Sequence, residues 1–179
     1  MKKNLLLLLL LFGITLVNAQ KMISKTGHIS FYSSTPIEKI EAHNYQVVSI
    51  LNTSTGEIQV SLLIRSFEFK KELMQEHFNE NYMESDIYPK ASLKGKIINL
   101  LDIKFEENGI YEARLSGDLT IHGVTKPVEL TGTIEIAKGL PTAKAKFKVR
   151  TADYNIQIPD LVREKIAKEI EITVEIPFN

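Results

Sequence analysis

The sequence has no cysteine among its 179 residues. Disulfide bonds, thiol catalysis and cysteine-bound metal are therefore excluded, and stability must come from a packed core, which a single domain of this length can supply. An excess of one charge is also lacking, because 22 Lys and Arg are balanced by 22 Asp and Glu. This balance gives no electrostatic reason to expect nucleic acid or an anionic membrane surface as a partner.

Motifs of common catalytic sites are absent as well. The sequence contains no Gly-x-Ser-x-Gly elbow, no glycine-rich phosphate loop and no His-Glu-x-x-His helix. Its four histidines, at positions 28, 43, 77 and 122, are widely separated, and nothing in their spacing predicts a metal site. We therefore expect a protein that is not an enzyme and holds no metal.

The first twenty residues have the three-part pattern of a secretory signal. Lys2 and Lys3 supply a positive start, an apolar run of thirteen residues follows, and small side chains lead up to Ala19. The run is shorter than the roughly 20 residues that a membrane-spanning helix needs, although an uncleaved anchor is the alternative. We predict a signal peptide over residues 1–19 and, over residues 20–179, a soluble exported domain that is periplasmic or secreted and not stably inserted in a membrane.

After this segment, apolar and polar residues alternate along several stretches. Apolar side chains recur at every second position in residues 111–121, 128–136, 143–149 and 170–176. Successive side chains of a strand point to opposite faces, so each stretch predicts a strand with one buried and one solvated face. Four such strands indicate an antiparallel sheet with one solvated side.

The N-terminal half indicates further strands with one irregularity. Strands are expected at residues 29–31, 45–51, 58–64, 91–100 and 103–105. The apolar positions from Ile58 to Ile64 share one parity, whereas Phe67 and Phe69 take the other. A strand cannot change its buried face without an extra residue, so this pattern predicts a β-bulge or a bend between them, near Arg65.

Two short helices are also predicted. Residues 71–82 place apolar side chains, among them Phe78 and Tyr82, at spacings of four. Residues 159–168 begin with Pro159, which suits a first helical turn. Many short strands with two brief helices indicate an all-β fold that is either an antiparallel barrel or a sandwich, and alternation alone does not separate the two.

Three stretches resemble a known family. They are residues 73–84 (LMQEHFNENYME), which continue to 88–95 (YPKASLKG), residues 117–128 (GDLTIHGVTKPV), and residues 153–156 (DYNI). In order and spacing they resemble the YceI-like family of lipid- and polyisoprenoid-binding proteins, although that family commonly has Gly at the position of Asn155. The resemblance implies an exported lipocalin-like barrel of about eight antiparallel strands with two short helices, which encloses a long isoprenoid or fatty-acyl chain.

From this resemblance we expect a non-enzymatic protein that binds and transports or sequesters a long apolar lipid: a polyisoprenoid, an isoprenoid quinone or a fatty-acyl lipid. No cofactor is expected beyond such a bound isoprenoid or fatty-acyl lipid, and the sequence leaves a homodimer open. Two alternatives remain. One is an exported structural or interaction barrel with a filled core; the other is a lipid-modifying enzyme, which needs a polar cluster inside the barrel, such as His77 with Asp153.

The candidate ligand-binding residues are apolar side chains of inward parity and one histidine. They are Phe67, Phe69, Phe78, Tyr82, Leu119, Ile121, Leu130, Phe147, Ile156 and His77. Most inward positions in small barrels only pack, so each of these also fits a plain core residue. Phe67, Phe69, Phe78 and Tyr82 are expected at the barrel mouth. His77 is suited either to a lipid head group or to a backbone partner. Residues 122–127, in contrast, fit a hairpin loop better than a ligand contact.

Overall fold

The computed structural model describes residues 21–179, which form one closed antiparallel β-barrel. The predicted signal peptide lies outside the described residues. The strands are β1 (Lys21–Ser34), β2 (Lys39–Asn52), β3 (Glu57–Leu63), β4 (Glu68–Phe69), β5 (Lys90–Ile97), β6 (Gly109–Ile121), β7 (Val124–Ala137), β8 (Leu140–Arg150) and β9 (Glu169–Pro177). Helix α1 (Glu72–His77) continues into a π-helical turn (Phe78–Tyr82), and 3₁₀ turns lie at Ile64–Ser66, Leu100–Asp102, Thr151–Tyr154 and Asp160–Val162.

Eight strands close the barrel. Their order is β1-β9-β8-β7-β6-β5-β3-β2, and β2 pairs back onto β1. The two-residue β4 pairs with β2 through Ala42 and Phe69, so it extends the wall that β3 begins. Closure pairs each of these eight strands on both sides, so within residues 21–179 no long sheet edge is left open. This arrangement confirms the predicted all-β fold. It also shows that the fold is a closed barrel and not a sandwich.

The predicted change of parity near Arg65 is a bend. The 3₁₀ turn Ile64–Ser66 separates β3 from β4. This 3₁₀ turn lets Ile64 and Phe67, which are three positions apart, both point into the barrel. Their side chains are 2% and 6% exposed. The alternation restarts on the opposite parity after this turn, as the sequence indicated.

Two predicted elements are wrong. Residues 159–168 form no α-helix but a 3₁₀ turn at Asp160–Val162 followed by another tight turn, in which the Lys165 amide donates to the Val162 carbonyl at 2.9 Å. Leu161 is 94% exposed there, so the segment has no continuous apolar face to bury against the barrel. Residues 103–105 form no strand either. They lie in a loop, from which Ile103 points inward and is only 6% exposed.

One end of the barrel is solidly packed. Leu51, Ile97, Ile134, Ile176 and Phe178 meet there and are each at most 3% exposed. Full burial of such a side chain contributes about 1.5–3 kcal/mol to stability, so this end anchors the fold. The two long connections, β4–β5 and β8–β9, lie at the opposite end.

The outer face of the barrel is charged where β7, β8 and β9 lie side by side. Lys144 Nζ lies 2.6 Å from Glu135 Oε2, and Lys146 Nζ lies 2.7 Å from Glu171 Oε1. The hydrogen bond to Glu135 raises the pKa of Lys144. The polar side chains at alternate positions of these strands therefore face water. Within residues 21–179, no helix is both long and apolar enough to cross a membrane.

Candidate functional site

The end of the barrel opposite the packed core holds a cavity of about 540 Å³ that opens to solvent. Its apolar lining comes from every barrel strand except β7 and includes Ile29, Phe31, Ile40, Val60, Leu62, Leu93, Leu119, Ile121, Phe147, Ile170, Ile172 and Val174. The volume is within the range of ligand pockets, roughly 300–1,000 Å³. At about 30 Å³ for a water or a group of similar size, the cavity has room for about eighteen methylene-sized groups.

The boundary between the hollow and the solid end is visible along β9. Ile172, Val174 and Ile176 share the inward face of this strand because side chains alternate. Ile172 and Val174 line the cavity and are only half-buried, whereas Ile176 is 1% exposed. The hollow therefore ends between Val174 and Ile176, which contradicts a core that is filled throughout.

Four phenylalanines form a cluster on one wall of the cavity. The Phe31 ring centroid lies 5.3 Å from those of Phe67 and Phe78 and 5.7 Å from that of Phe69. Phe69 and Phe78 lie 5.1 Å apart. Aromatic pairs at these separations attract one another beyond the effect of burial alone. The cluster thus ties together β1, the bend after β3 and the helical segment.

The helical segment, residues 72–83, covers part of the opening, and we call it the lid. Leu73, Met74, Phe78, Tyr82 and Met83 from this segment line the cavity. The Phe69 amide donates to Gln75 Oε1 at 3.2 Å and so fastens the start of the lid. Burial raises the pKa of Tyr82, which keeps its phenol neutral at physiological pH. Apart from His77 at the rim, the lid therefore presents an uncharged wall to the cavity.

Charged side chains surround the opening instead. Glu38, Lys71, Arg150 and Lys165 contribute to the lining of the cavity, as does the exposed His77. Arg150 Nε lies 3.2 Å from Glu169 Oε1, so its charge is partly compensated. An apolar interior below a charged rim suits an elongated molecule with an apolar tail and one polar end.

Nine of the ten residues predicted to bind a ligand line this cavity. The exception is Leu130, which is half-buried opposite Leu115 of β6 and is not part of the cavity wall. The prediction left out Ile29, Phe31, Leu93, Ile172 and Val174, among other residues that line the cavity. Parity was the signal that could have found them, since they share the inward faces of their strands.

The polar cluster that a lipid-modifying enzyme needs is not formed by the two residues considered. His77 lies at the rim of the cavity, whereas Asp153 is exposed and does not line it. Within residues 21–179, no group of three or more His, Asp or Glu side chains is placed to hold a metal ion.

The hairpin loop predicted at residues 122–127 is a two-residue turn, since residues 124–127 belong to β7; the turn joins β6 to β7 beside the opening. His122 and Gly123 have φ angles of 50° and 71°, as a two-residue type I′ turn requires. His122 is only 8% exposed; its Nδ1 lies 3.1 Å from the Tyr154 carbonyl oxygen and its Nε2 lies 2.9 Å from Glu84 Oε2. The Tyr88 ring meets the imidazole edge-on at 4.4 Å. This loop therefore contacts both long connections at the open end.

Comparison with known proteins agrees with this architecture. A polyisoprenoid binding domain from Saccharophagus degradans, implicated in plant cell wall breakdown, superposes with a TM-score of 0.78 at 12% identity, over 89% of this chain and 97% of its own. BcnA from Burkholderia cenocepacia gives 0.70 at 15% identity, over 84% and 95%. The YCEI protein of Campylobacter jejuni gives 0.55 at 15% identity, over 90% and 85%.

At such low identities these likenesses establish the fold alone. Among curated protein sequences, no significant match is found. The sequence model of the YceI-like domain, however, matches residues 15–178, which is most of the chain. The chain therefore belongs to the YceI-like domain family.

Proposed function

We propose that this protein binds one long apolar lipid tail in the barrel cavity and sequesters or transports it through an aqueous compartment without modifying it. The observation that carries the proposal is the cavity itself, about 540 Å³ of apolar-walled space that opens at a charged rim. The similarity to a polyisoprenoid binding domain supports an isoprenoid tail, and the apolar lining of the cavity suits the tail of an isoprenoid quinone or a fatty-acyl lipid equally well.

The cavity offers enough apolar contact to hold such a tail with few polar bonds. Each methylene removed from water contributes about 0.8 kcal/mol, so about eighteen of them contribute about 14 kcal/mol. Association costs at least about 4 kcal/mol in lost translational and rotational freedom, which leaves up to about 10 kcal/mol. Tail burial therefore supplies the main favourable contribution to binding, and the polar end of the ligand is left at the rim.

A matched pair of substitutions tests the site. Val149 lines the cavity near the opening, whereas Val48 is 45% exposed on the outer face of β2. Val149→Trp puts an indole into the cavity, while Val48→Trp adds the same bulk outside. We expect Val149→Trp to weaken binding of cis-parinaric acid, a fluorescent polyene fatty acid, by at least about tenfold, and Val48→Trp to bind like the wild type.

The bound molecule is identified by extracting the purified protein with organic solvent and analysing the extract by mass spectrometry. We expect one lipid per chain in the wild type and in Val48→Trp, and a reduced amount in Val149→Trp. Equal binding by the two variants in the fluorescence assay, or a wild-type protein that neither carries nor takes up a lipid, would contradict the proposal.

We also propose that the protein acts after export, in the periplasm or outside the cell. The support is the sequence of the first twenty residues, with Lys2 and Lys3 before an apolar run that is too short for a typical membrane-spanning helix. N-terminal analysis of the protein from its native cells is expected to begin at Gln20. A full-length chain recovered from the cytoplasm would overturn this assignment.

A further inference from the structure

We propose that the lipid bound by this protein has an anionic head group, a carboxylate or a phosphate, and that Lys165 and Lys168 bind this head group beside the mouth of the cavity. The inference rests on the proposed function and narrows it. It selects fatty acids and isoprenyl phosphates over quinones and alcohols with the same tail.

A second hollow adjoins the main cavity at its open end. It measures about 500 Å³ and shares five lining residues with the main cavity, namely Arg150, Thr151, Ile156, Ile158 and Ile166. These residues form a wall between the two spaces. A lipid whose tail fills the main cavity therefore has its polar end close to the second hollow.

The charged side chains of residues 150–169 are sorted by sign around these two spaces. All four cations of this segment line at least one of them: Arg150, Arg163, Lys165 and Lys168. Of its four carboxylates only Glu169 lines either space, whereas the other three are exposed and line neither: Asp153, Asp160 and Glu164. The segment has no net formal charge, yet the surface that it turns towards the ligand is positive.

The positive charge at the mouth is left uncompensated at two lysines. Both arginines of the segment are paired with a carboxylate of the same segment. Lys165 and Lys168, in contrast, form no ion pair with any residue in the described range 21–179. Lys71 and Glu38 also line the main cavity, and their opposite charges offset each other. The two lysines are therefore available to an anion.

The backbone that carries these lysines is held against the barrel. The Ala167 amide donates to Ser33 Oγ of β1 at 2.9 Å, and Ser33 is only 2% exposed. The Thr151 amide, which follows β8, donates to the Lys168 carbonyl at 3.3 Å. Lys165 and Lys168 thus start from fixed positions, and only their flexible side chains have to adjust to an anion.

The head group decides how much of this charge contributes to binding. Charges beside an apolar wall attract each other more strongly than the same charges in bulk water. Two exposed ion pairs together change a dissociation constant by about twofold to thirtyfold. A neutral quinone or hydroxyl gains none of this attraction, and a cationic head group is repelled. The charge at the mouth therefore favours an anion.

The test compares ligands that share a dodecyl tail and differ in the head group. They are dodecanoate, dodecyl phosphate, 1-dodecanol and dodecylamine, each kept below the concentration at which it aggregates, at neutral pH and low salt. Binding is measured by displacement of N-phenyl-1-naphthylamine, an uncharged fluorescent probe of apolar pockets. We expect the wild type to bind the two anions about tenfold more tightly than 1-dodecanol, and dodecylamine no better than 1-dodecanol. About 1 M salt should reduce this preference, because it screens exposed charges.

A matched pair of double variants assigns the preference to the two lysines. Lys165→Gln with Lys168→Gln should reduce the ratio between 1-dodecanol and dodecanoate dissociation constants from about ten to about two. Lys94→Gln with Lys96→Gln removes the same charge from the outer face of β5, where both side chains are exposed, and should keep the wild-type ratio. The ratio is compared because any damage to the cavity weakens the binding of both ligands.

Inorganic phosphate distinguishes a lipid head group from a free anion. At the same concentration as dodecanoate, phosphate should leave the ratio unchanged, because it has no tail to bury. A ratio that falls to one on adding phosphate would assign the lysines to a free anion and overturn the inference.

Equal binding of dodecanoate and 1-dodecanol by the wild type, or equal ratios in the two double variants, would also overturn the inference. If the lysine variant at the mouth does not fold, the head-group series and its salt dependence in the wild type decide. If all four ligands displace the probe equally, only the head-group inference fails. If none of them binds, the proposed function fails as well.

Discussion

Lengthening the tail of a bound fatty acid is expected to strengthen binding only until the cavity is full. The cavity of about 540 Å³ holds about eighteen methylene-sized groups at about 30 Å³ each. Below that length, two added methylenes contribute about 1.6 kcal/mol, which is a change of about fifteenfold in the dissociation constant. Above it, further carbons extend past the rim into water, and the dissociation constant should change little.

The assay is displacement of cis-parinaric acid by saturated fatty acids of increasing length, at concentrations below those at which the acids aggregate. Val149→Trp serves as an internal control, because it reduces the cavity and should move the plateau to shorter tails. Affinity that keeps rising well past about eighteen carbons, or that does not depend on length at all, would refute the reasoning from cavity volume.

Three further outcomes follow from the packing and the charges. Phe178→Ala at the solid end, where the side chain is fully buried, should cost about 3–5 kcal/mol in urea unfolding, whereas Phe147→Ala beside the cavity should cost clearly less; equal losses would contradict a half-hollow barrel. Gly117→Ala would place a Cβ 2.4 Å from the Lys94 carbonyl oxygen, so the melting temperature should drop, and an unchanged value would disprove that close contact. Burial, together with a neighbouring imidazole, lowers the pKa of His28, so the unfolded chain binds more protons there; stability should decline as pH falls below about 6.5, and less so in His28→Gln, while parallel pH profiles would exclude this contribution.

Much of the barrel is readable from alternation in the sequence. The stretches that became β6 to β9 show one apolar and one polar parity, and the change of parity around Arg65 is the 3₁₀ bend between β3 and β4. These features are local, because a strand exposes alternate side chains to two different environments over a few residues. The helix expected after Pro159 failed because its apolar residues do not share one buried face, as the exposed Leu161 shows.

The extent of the cavity could not be predicted in the same way. Parity states which face a side chain takes but not how far along the barrel axis it lies, so Leu130 and Leu119 look alike in the sequence although only Leu119 lines the cavity. His122 gives a second example. Its partners Tyr154 and Glu84 are 32 and 38 residues away, and the sequence around the hairpin indicates only a turn.

The most direct test of the central claim is a crystal structure of the protein saturated with a long-chain fatty acid. The account predicts continuous density for the tail inside the barrel, from Val174 past Phe31 to the opening, with the carboxylate at the charged rim. A cavity that holds only water or its own rearranged side chains, with the fatty acid bound elsewhere on the surface, would contradict it.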